Sequence, residues 1–342
     1  MKMTMRWFGE SDSVSLEAIA QIPCVHGVVG TLEDNDFLLE NLLAFKEQVE
    51  AHGLSLDVIE SIPVPEAIKR GLPERDSLID AYCESIRNMG RAGIPVLCYN
   101  FMPVFDWMRT DMSVRLPDGS LVSAYDHTTM QNFDLSQGLE ARVAWARGFT
   151  GEELRAELAR YEHIDEAALF GNLAYFLRRI VPAAEEAGVL LALHPDDPPW
   201  SILGLPRIVR DAESIQRILD MHHSPHHGLT FCTGALGALA DNDLPTMIRQ
   251  FAARIHFVHM RNVQVTAQQS FHEVAHPSEC GSVNMEAVIQ ALIEIGFSGP
   301  LRPDHGRRIW GEEVPRAGYG LYDRALGAMY LYGLWKGIEH RY

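Results

Sequence analysis

The sequence predicts an α/β protein of the (β/α)8 or TIM barrel class, with a long insertion after its fourth strand. Three observations carry that expectation. Eight short apolar runs rich in β-branched or aromatic residues recur along the 342 residues. Each is followed by a loop and then by a segment with helical spacing of apolar positions, the alternation of a parallel sheet. Several helical segments end on a glycine just ahead of the next run, and residues of metal-ligand type close the last four runs.

In chain order the runs are Met3 to Phe8, Val25 to Gly30, Leu54 to Glu60, Pro95 to Phe101, Val189 to His194, Leu229 to Cys232, Ile255 to His259 and Pro300 to Asp304. Gly53, Gly93, Gly188 and Gly296 stand where a helix must stop before the next strand, a place that favours left-handed backbone. The connection 102–165 is too long for a plain βα loop. It holds MPVFDWMRTD, a polar turn at Pro117-Asp118-Gly119 and a charged helical stretch, GEELRAELARYEH. A lid and a surface insertion used for oligomer contacts both fit such a segment. No low-complexity linker divides the chain, so one barrel domain over 1–342 is expected.

With 47% hydrophobic and 22% charged residues, the chain can fill one large core. A formal net charge of −17 disfavours nucleic acid and anionic membrane surfaces, but a local arginine cluster or a metal can still attract a small anion. The cysteines, Cys24, Cys83, Cys98, Cys232 and Cys280, are odd in number and irregularly spaced, which suits a reducing cytoplasm better than a disulfide framework. No signal-peptide core and no stretch of about 18 apolar residues is present. The chain is expected to be cytoplasmic and homo-oligomeric, dimeric or larger.

Barrel enzymes carry their chemistry at the C-terminal ends of the strands. Run five ends in LLALHPDDPP with His194, run six in LTFCTG with Cys232, run seven in IHFVHMRN with His259, and run eight in PLRPDHG with Asp304. These residues lie about one βα unit apart, so adjacent strands would bring them to one barrel mouth. Two imidazoles, a thiolate and a carboxylate suit zinc or ferrous iron, with manganese less obvious beside a thiolate. A lone strand cysteine or histidine is usually a core or hydrogen-bonded residue, and only the coincidence of four argues for a metal.

Around the four lie Asn100, Asp196, Asp197, Arg261, Asn262, His305 and Arg307. Arg261 and Arg307 could clamp a substrate carboxylate, or could belong to ion pairs around the mouth. Asn100 and Asn262 are further candidates for substrate contact. His305 is a candidate general acid or base beside a metal ligand, and Tyr319 in GYGLYDRALG is a second. The FHEVAH stretch, Phe271 to His276, reads as a histidine-rich loop. No Walker loop, GxGxxG, nucleophile elbow or CxxC pair is present.

At HPDDPP, FCTG, VHMRN, RPDHGR and GYGLYDRALG, together with IESIPV at Ile59 to Val64 and IRNMGRAGIPVLCYNFMPVFDW at Ile86 to Trp107, the sequence resembles mannonate dehydratase of hexuronate degradation. The resemblance runs nearly end to end. It implies a xylose-isomerase-like barrel, Fe2+ or Mn2+ in preference to Zn2+, and conversion of D-mannonate to 2-keto-3-deoxy-D-gluconate with loss of water. By motif, its metal ligands fall on His194, Cys232, His259 and Asp304, and its acid and base candidates on His305 and Tyr319. Two segments depart from its pattern: Ser113 to Gln137, and HPSECGSVN after FHEVA.

Three other readings stand beside this one. A metal-dependent sugar or sugar-acid isomerase or epimerase would retain the water, and a non-catalytic sugar-acid binding protein would bind without turnover. A DNA repair nuclease conflicts with the net charge of −17.

Overall fold

The structure, a computed structural model, describes residues 1–32, 36–133 and 150–340. At its centre is a closed barrel of eight parallel strands: β1 (Lys2–Trp7), β2 (Gly27–Gly30), β3 (Ser55–Glu60), β4 (Val96–Tyr99), β7 (Leu190–Leu193), β8 (His227–Cys232), β9 (Ile255–Met260) and β12 (Pro300–Pro303). Each apolar run expected from the sequence forms one of them. Order around the barrel follows the chain, and β12 closes it by pairing with β1. Among the described residues no helix is long and apolar enough to cross a membrane.

The helix Glu166–Ala187 shows how local sequence punctuates the βα units. Asp165 caps its start by accepting from the Ala168 amide, and Gly188 ends it in the left-handed region at φ 69°. Its buried face runs through Leu169, Phe170, Leu173, Phe176, Leu177, Ile180 and Val181, with helical spacing, toward the barrel wall. Gly53, Gly93 and Gly296 share the positive φ expected of them.

Alternation along the strands sorts side chains between two compartments. Val28, Ile59, Leu97, Leu191 and Val258 point outward into the core shared with the helices. Val29, Val58, Val96, Cys98, Ala192 and Phe257 form a separate cluster that fills the lumen. Burying a side chain such as Phe257 contributes about 1.5–3 kcal/mol. Two residues beyond Val58, Ala192 and Phe257, the same parity places Glu60, His194 and His259 at the top of the lumen.

Above the mouth lies an antiparallel sheet of order β10-β11-β6-β5. β5 (Asp111–Arg115) and β6 (Leu121–Tyr125) come from the insertion, joined by the expected polar turn; β10 (Val263–Ala267) and β11 (Ser270–Glu273) follow β9. This corrects the reading of Phe271 to His276 as a loop: its first half is a strand, because Phe271 stacks on Tyr125 with ring centroids 6.2 Å apart and pairs with it across the sheet. The charged stretch at the insertion's end forms the helix Gly151–Ala159. Residues 134–149 of the 102–165 segment, and with them 134–137 of the divergent Ser113 to Gln137 stretch, lie outside the described residues.

Candidate metal centre and active site

His194 follows β7, Cys232 ends β8, His259 lies in β9 and Asp304 follows β12. Strand register brings them together: Cys232 pairs with His259 across β8 and β9, and His259 with Arg302 across β9 and β12. Donor atoms of His194, Cys232 and His259 lie within 4.8 Å of one another. Asp304 Oδ2 stands 3.7 Å from Cys232 Sγ and 3.9 Å from His259 Nδ1.

The two imidazoles show what this cluster is built for. His194 Nδ1 lies 2.6 Å from the Pro195 carbonyl and can only donate there, which leaves Nε2 with a lone pair. His259 Nε2 faces Glu60 Oε2 at 3.3 Å, which favours the proton on Nε2 and a lone pair on Nδ1. The two lone-pair nitrogens then face each other at 3.1 Å. Neutral rings in these tautomers have no hydrogen for that contact, whereas a cation between them satisfies both. With metal–nitrogen bonds of about 2.0–2.1 Å, adjacent ligands are on the order of 2.9–3.4 Å apart, so the spacing fits. Cys232 caps the short helix Thr233–Gly237, and its sulfur accepts from the Ala235 amide at 3.4 Å.

Arginines surround the carboxylates. Arg302 lies 2.8 Å from Asp304 Oδ1 and 3.0 Å from Glu60 Oε1. Burial opposes ionisation of Asp304, but neighbouring charges, Arg302 foremost and Arg261 among them, outweigh it and hold the carboxyl well below the usual carboxylate range. Glu60 is likewise held low against burial, by Arg302, His259 and Arg6. Behind the ligands Arg261 contacts Asp197 at 2.6 Å and Glu273 at 3.2 Å, while Arg109 forks onto Asp197 at 2.7 and 3.0 Å. This network explains the glycine of FCTG: a Cβ at Gly234 would sit 2.0 Å from Arg261 Nε.

A cavity of about 340 Å³ opens beside the cluster. Its lining includes His194, His259, Asp304, His305, Tyr319 and Asn100 from the sequence expectations. His305 Nδ1 lies 2.7 Å from Glu273 Oε1 and Nε2 lies 2.6 Å from Arg261, with Trp107 of the insertion edge-on to the ring at 4.8 Å. The Tyr319 ring is centred 5.6 Å from that of His305. Burial first, with Asp304 and Glu60 adding to it against Arg302 and Arg6, pushes the Tyr319 phenol up to about 12.

Three expected substrate contacts do not line this cavity. Arg261 is buried among carboxylates. Asn262 braces the following loop by donating to the Pro277 carbonyl and accepting from the Val283 amide. Arg307 is tied to Asp323 and Asp118. Charged residues not singled out from sequence stand in the lining instead: Arg6, Glu60, Asp106, Arg302 and Arg316. Glu60 and Arg302 carried a signal, because each is a charge in an apolar strand at a lumen position.

The D-mannonate dehydratase (UxuA) family profile matches residues 1–342. The chain belongs to this family. Mannonate dehydratase of Thermotoga maritima is 50% identical over 354 residues, covering 99% of this chain and 98% of its own. Mannonate dehydratase 2 of Halalkalibacterium halodurans is 49% identical over 345 residues, covering 99% of this chain and all of its own length, 100%. Among solved structures, mannonate dehydratase from Streptococcus suis serotype 2 superimposes with a TM-score of 0.92 at 45% identity, covering 100% of this chain and 95% of that one. The D-psicose 3-epimerase of Clostridium cellulolyticum H10 aligns with a TM-score of 0.61 at 12% identity, covering 99% of each chain, a likeness of fold alone.

Proposed function

We propose that the chain is a hydro-lyase that dehydrates D-mannonate to 2-keto-3-deoxy-D-gluconate, using a divalent metal at His194, Cys232, His259 and Asp304. The observation that carries the site is the pair of imidazole nitrogens, His194 Nε2 and His259 Nδ1, facing each other at 3.1 Å beside a cavity lined by His305 and Tyr319. Fe2+ or Mn2+ is preferred over Zn2+, following the family resemblance. A bound ion would supply Lewis-acid stabilisation of the negative charge that builds on substrate oxygens as the C2 proton leaves.

The remaining work falls to side chains. The C2 proton is removed by His305 through Nε2, which requires its 2.6 Å contact with Arg261 to open, while Nδ1 stays on Glu273 and Trp107 packs against the ring. Tyr319, which keeps its phenolic proton at neutral pH, donates it as the C3 hydroxyl departs as water. The enol that remains tautomerises to the 2-keto acid. Asn100 lines the cavity and is available to a substrate hydroxyl, while its Oδ1 accepts from the Met102 amide. Trp107 and Asp106 bring the 102–165 segment into the lining, which supports its reading as a cover over bound substrate within a single barrel domain.

None of the five cysteines is in a disulfide, in keeping with the expected cytoplasmic compartment. Exposed Trp310, Leu326 and Met329 support the expected homo-oligomer.

Anaerobic incubation of Fe2+- or Mn2+-loaded protein with a panel of hexonates tests the function. Formation of a 2-keto-3-deoxy acid from D-mannonate is expected; products that keep the water would overturn the assignment. Solvent deuterium exchange at C2 should survive in Tyr319→Phe and vanish in His305→Asn, and the reverse pattern would exchange their roles.

A further inference from the structure

A sugar acid must bring its carboxylate into a protein of net charge −17, so some cation in the cavity has to be left over for it. Most buried guanidiniums near the site are already committed. Arg302 is shared between Glu60 and Asp304, Arg261 between Asp197 and Glu273, and Arg109 between the same two carboxylates. Two guanidiniums in the lining differ. Arg6 donates to the Gly30 carbonyl at 2.9 Å, and among the described residues the Arg316 guanidinium makes no hydrogen bond and neither guanidinium makes an ion pair.

Both stand over one aromatic ring. The Arg6 guanidinium carbon is 4.5 Å from the Phe8 centroid and that of Arg316 is 4.3 Å from it. Stacking leaves the in-plane N–H groups of a guanidinium available to a planar acceptor. It also brings two like charges to one ring, and Glu60, the carboxylate whose charge acts on Arg6, is already paired with Arg302, so an added anion would relieve the excess of positive charge. Phe8 packs edge-on against Tyr319 at 4.8 Å, so the pair sits next to the proposed proton donor. Arg6 is almost fully buried, whereas Arg316 is half-buried and can be altered without opening the core.

We propose that Arg6 and Arg316, stacked on Phe8, form the subsite that receives the substrate carboxylate and make the cavity selective for sugar acids over neutral polyols. This rests on the substrate being a sugar acid, as argued above. Arg261 and Arg307, the clamp expected from sequence, then hold the architecture.

The test compares metal-loaded wild type, Arg316→Met and Arg316→Lys. For D-mannonate, Arg316→Met should raise KM about 10- to 100-fold through loss of a charge-assisted contact, and should lower kcat as well, because the carboxylate gains charge as the C2 proton leaves. Arg316→Lys should recover part of that loss. Calorimetric binding of D-gluconate and of D-mannitol, which lacks the carboxylate, supplies the second readout. Wild type should prefer the acid, and Arg316→Met should bring the ratio towards one. An unchanged KM, an unchanged acid-to-polyol ratio, or a wild type that binds both alike would overturn the subsite. Failure of the wild type to dehydrate D-mannonate would count against the proposed reaction instead, since the binding ratio is read without turnover.

Discussion

Acidification should destabilise this protein through two buried histidines outside the proposed ligand set. His227 at the start of β8 places Nε2 3.1 Å from the Ile218 carbonyl, and His256 in β9 places Nδ1 2.8 Å from the Leu191 carbonyl. Burial, partly offset by these contacts, pushes each imidazole down to about 4. An unfolded histidine titrates near 6.5, so between the two values the unfolded chain binds more protons than the native one. The stabilising contribution is complete above about pH 6.5 and is lost as pH falls through about 4. Between pH 7 and pH 5 each imidazole should cost about 2 kcal/mol, a large share of a typical total of about 5–15 kcal/mol. Urea midpoints measured at pH 7, 6 and 5, with chelator present throughout so that metal release does not enter, give the pH slope. His256→Gln and His227→Gln should each flatten it, whatever their stability at pH 7. A slope identical to wild type in both variants would refute the reasoning.

Other outcomes follow from the cluster itself. Cys232→Ser should lower metal content and dehydration together, measured by elemental analysis and product formation; full metal occupancy with wild-type turnover would remove Cys232 from the ligand set. His305→Asn should keep its metal and lose turnover by about 10²–10⁴-fold, the usual scale for a proton-transfer group. A near-normal rate would exclude it. Gly234→Ala drives a methyl into Arg261 and should cost about 1–3 kcal/mol, with activity falling as the Asp197–Arg261–Glu273 contacts shift. Unaltered thermal stability would show that the site gives way freely. Chelation should abolish dehydration, and Fe2+ or Mn2+ should restore it better than Zn2+.

The barrel was legible in the sequence because its signals are local and repeated. A strand buried on both faces reads as a short apolar run, and a helix that must stop takes a glycine such as Gly188. The ligand candidates were legible for a related reason. In a parallel barrel each strand's C-terminal end reaches the same rim, so equivalent positions along the chain become neighbours in space. His194, Cys232, His259 and Asp304 could therefore be grouped without coordinates.

Partner choice was not legible. Arg261, Arg302 and Arg316 look alike in sequence, and which of them remains available to a substrate depends on carboxylates brought from Glu60, Asp197 and Glu273 on other elements. The sheet over the mouth escaped for the same reason: β6 and β11 are brief, and they are strands because they pair with residues 146 positions away, as Phe271 does with Tyr125. Sequence by itself determined what recurs with the chain's own period, namely the barrel, its rim and the residue types on it. Tertiary structure alone decided which charges neutralise one another, because Coulomb and hydrogen-bond energies depend on distances that sequence separation does not contain.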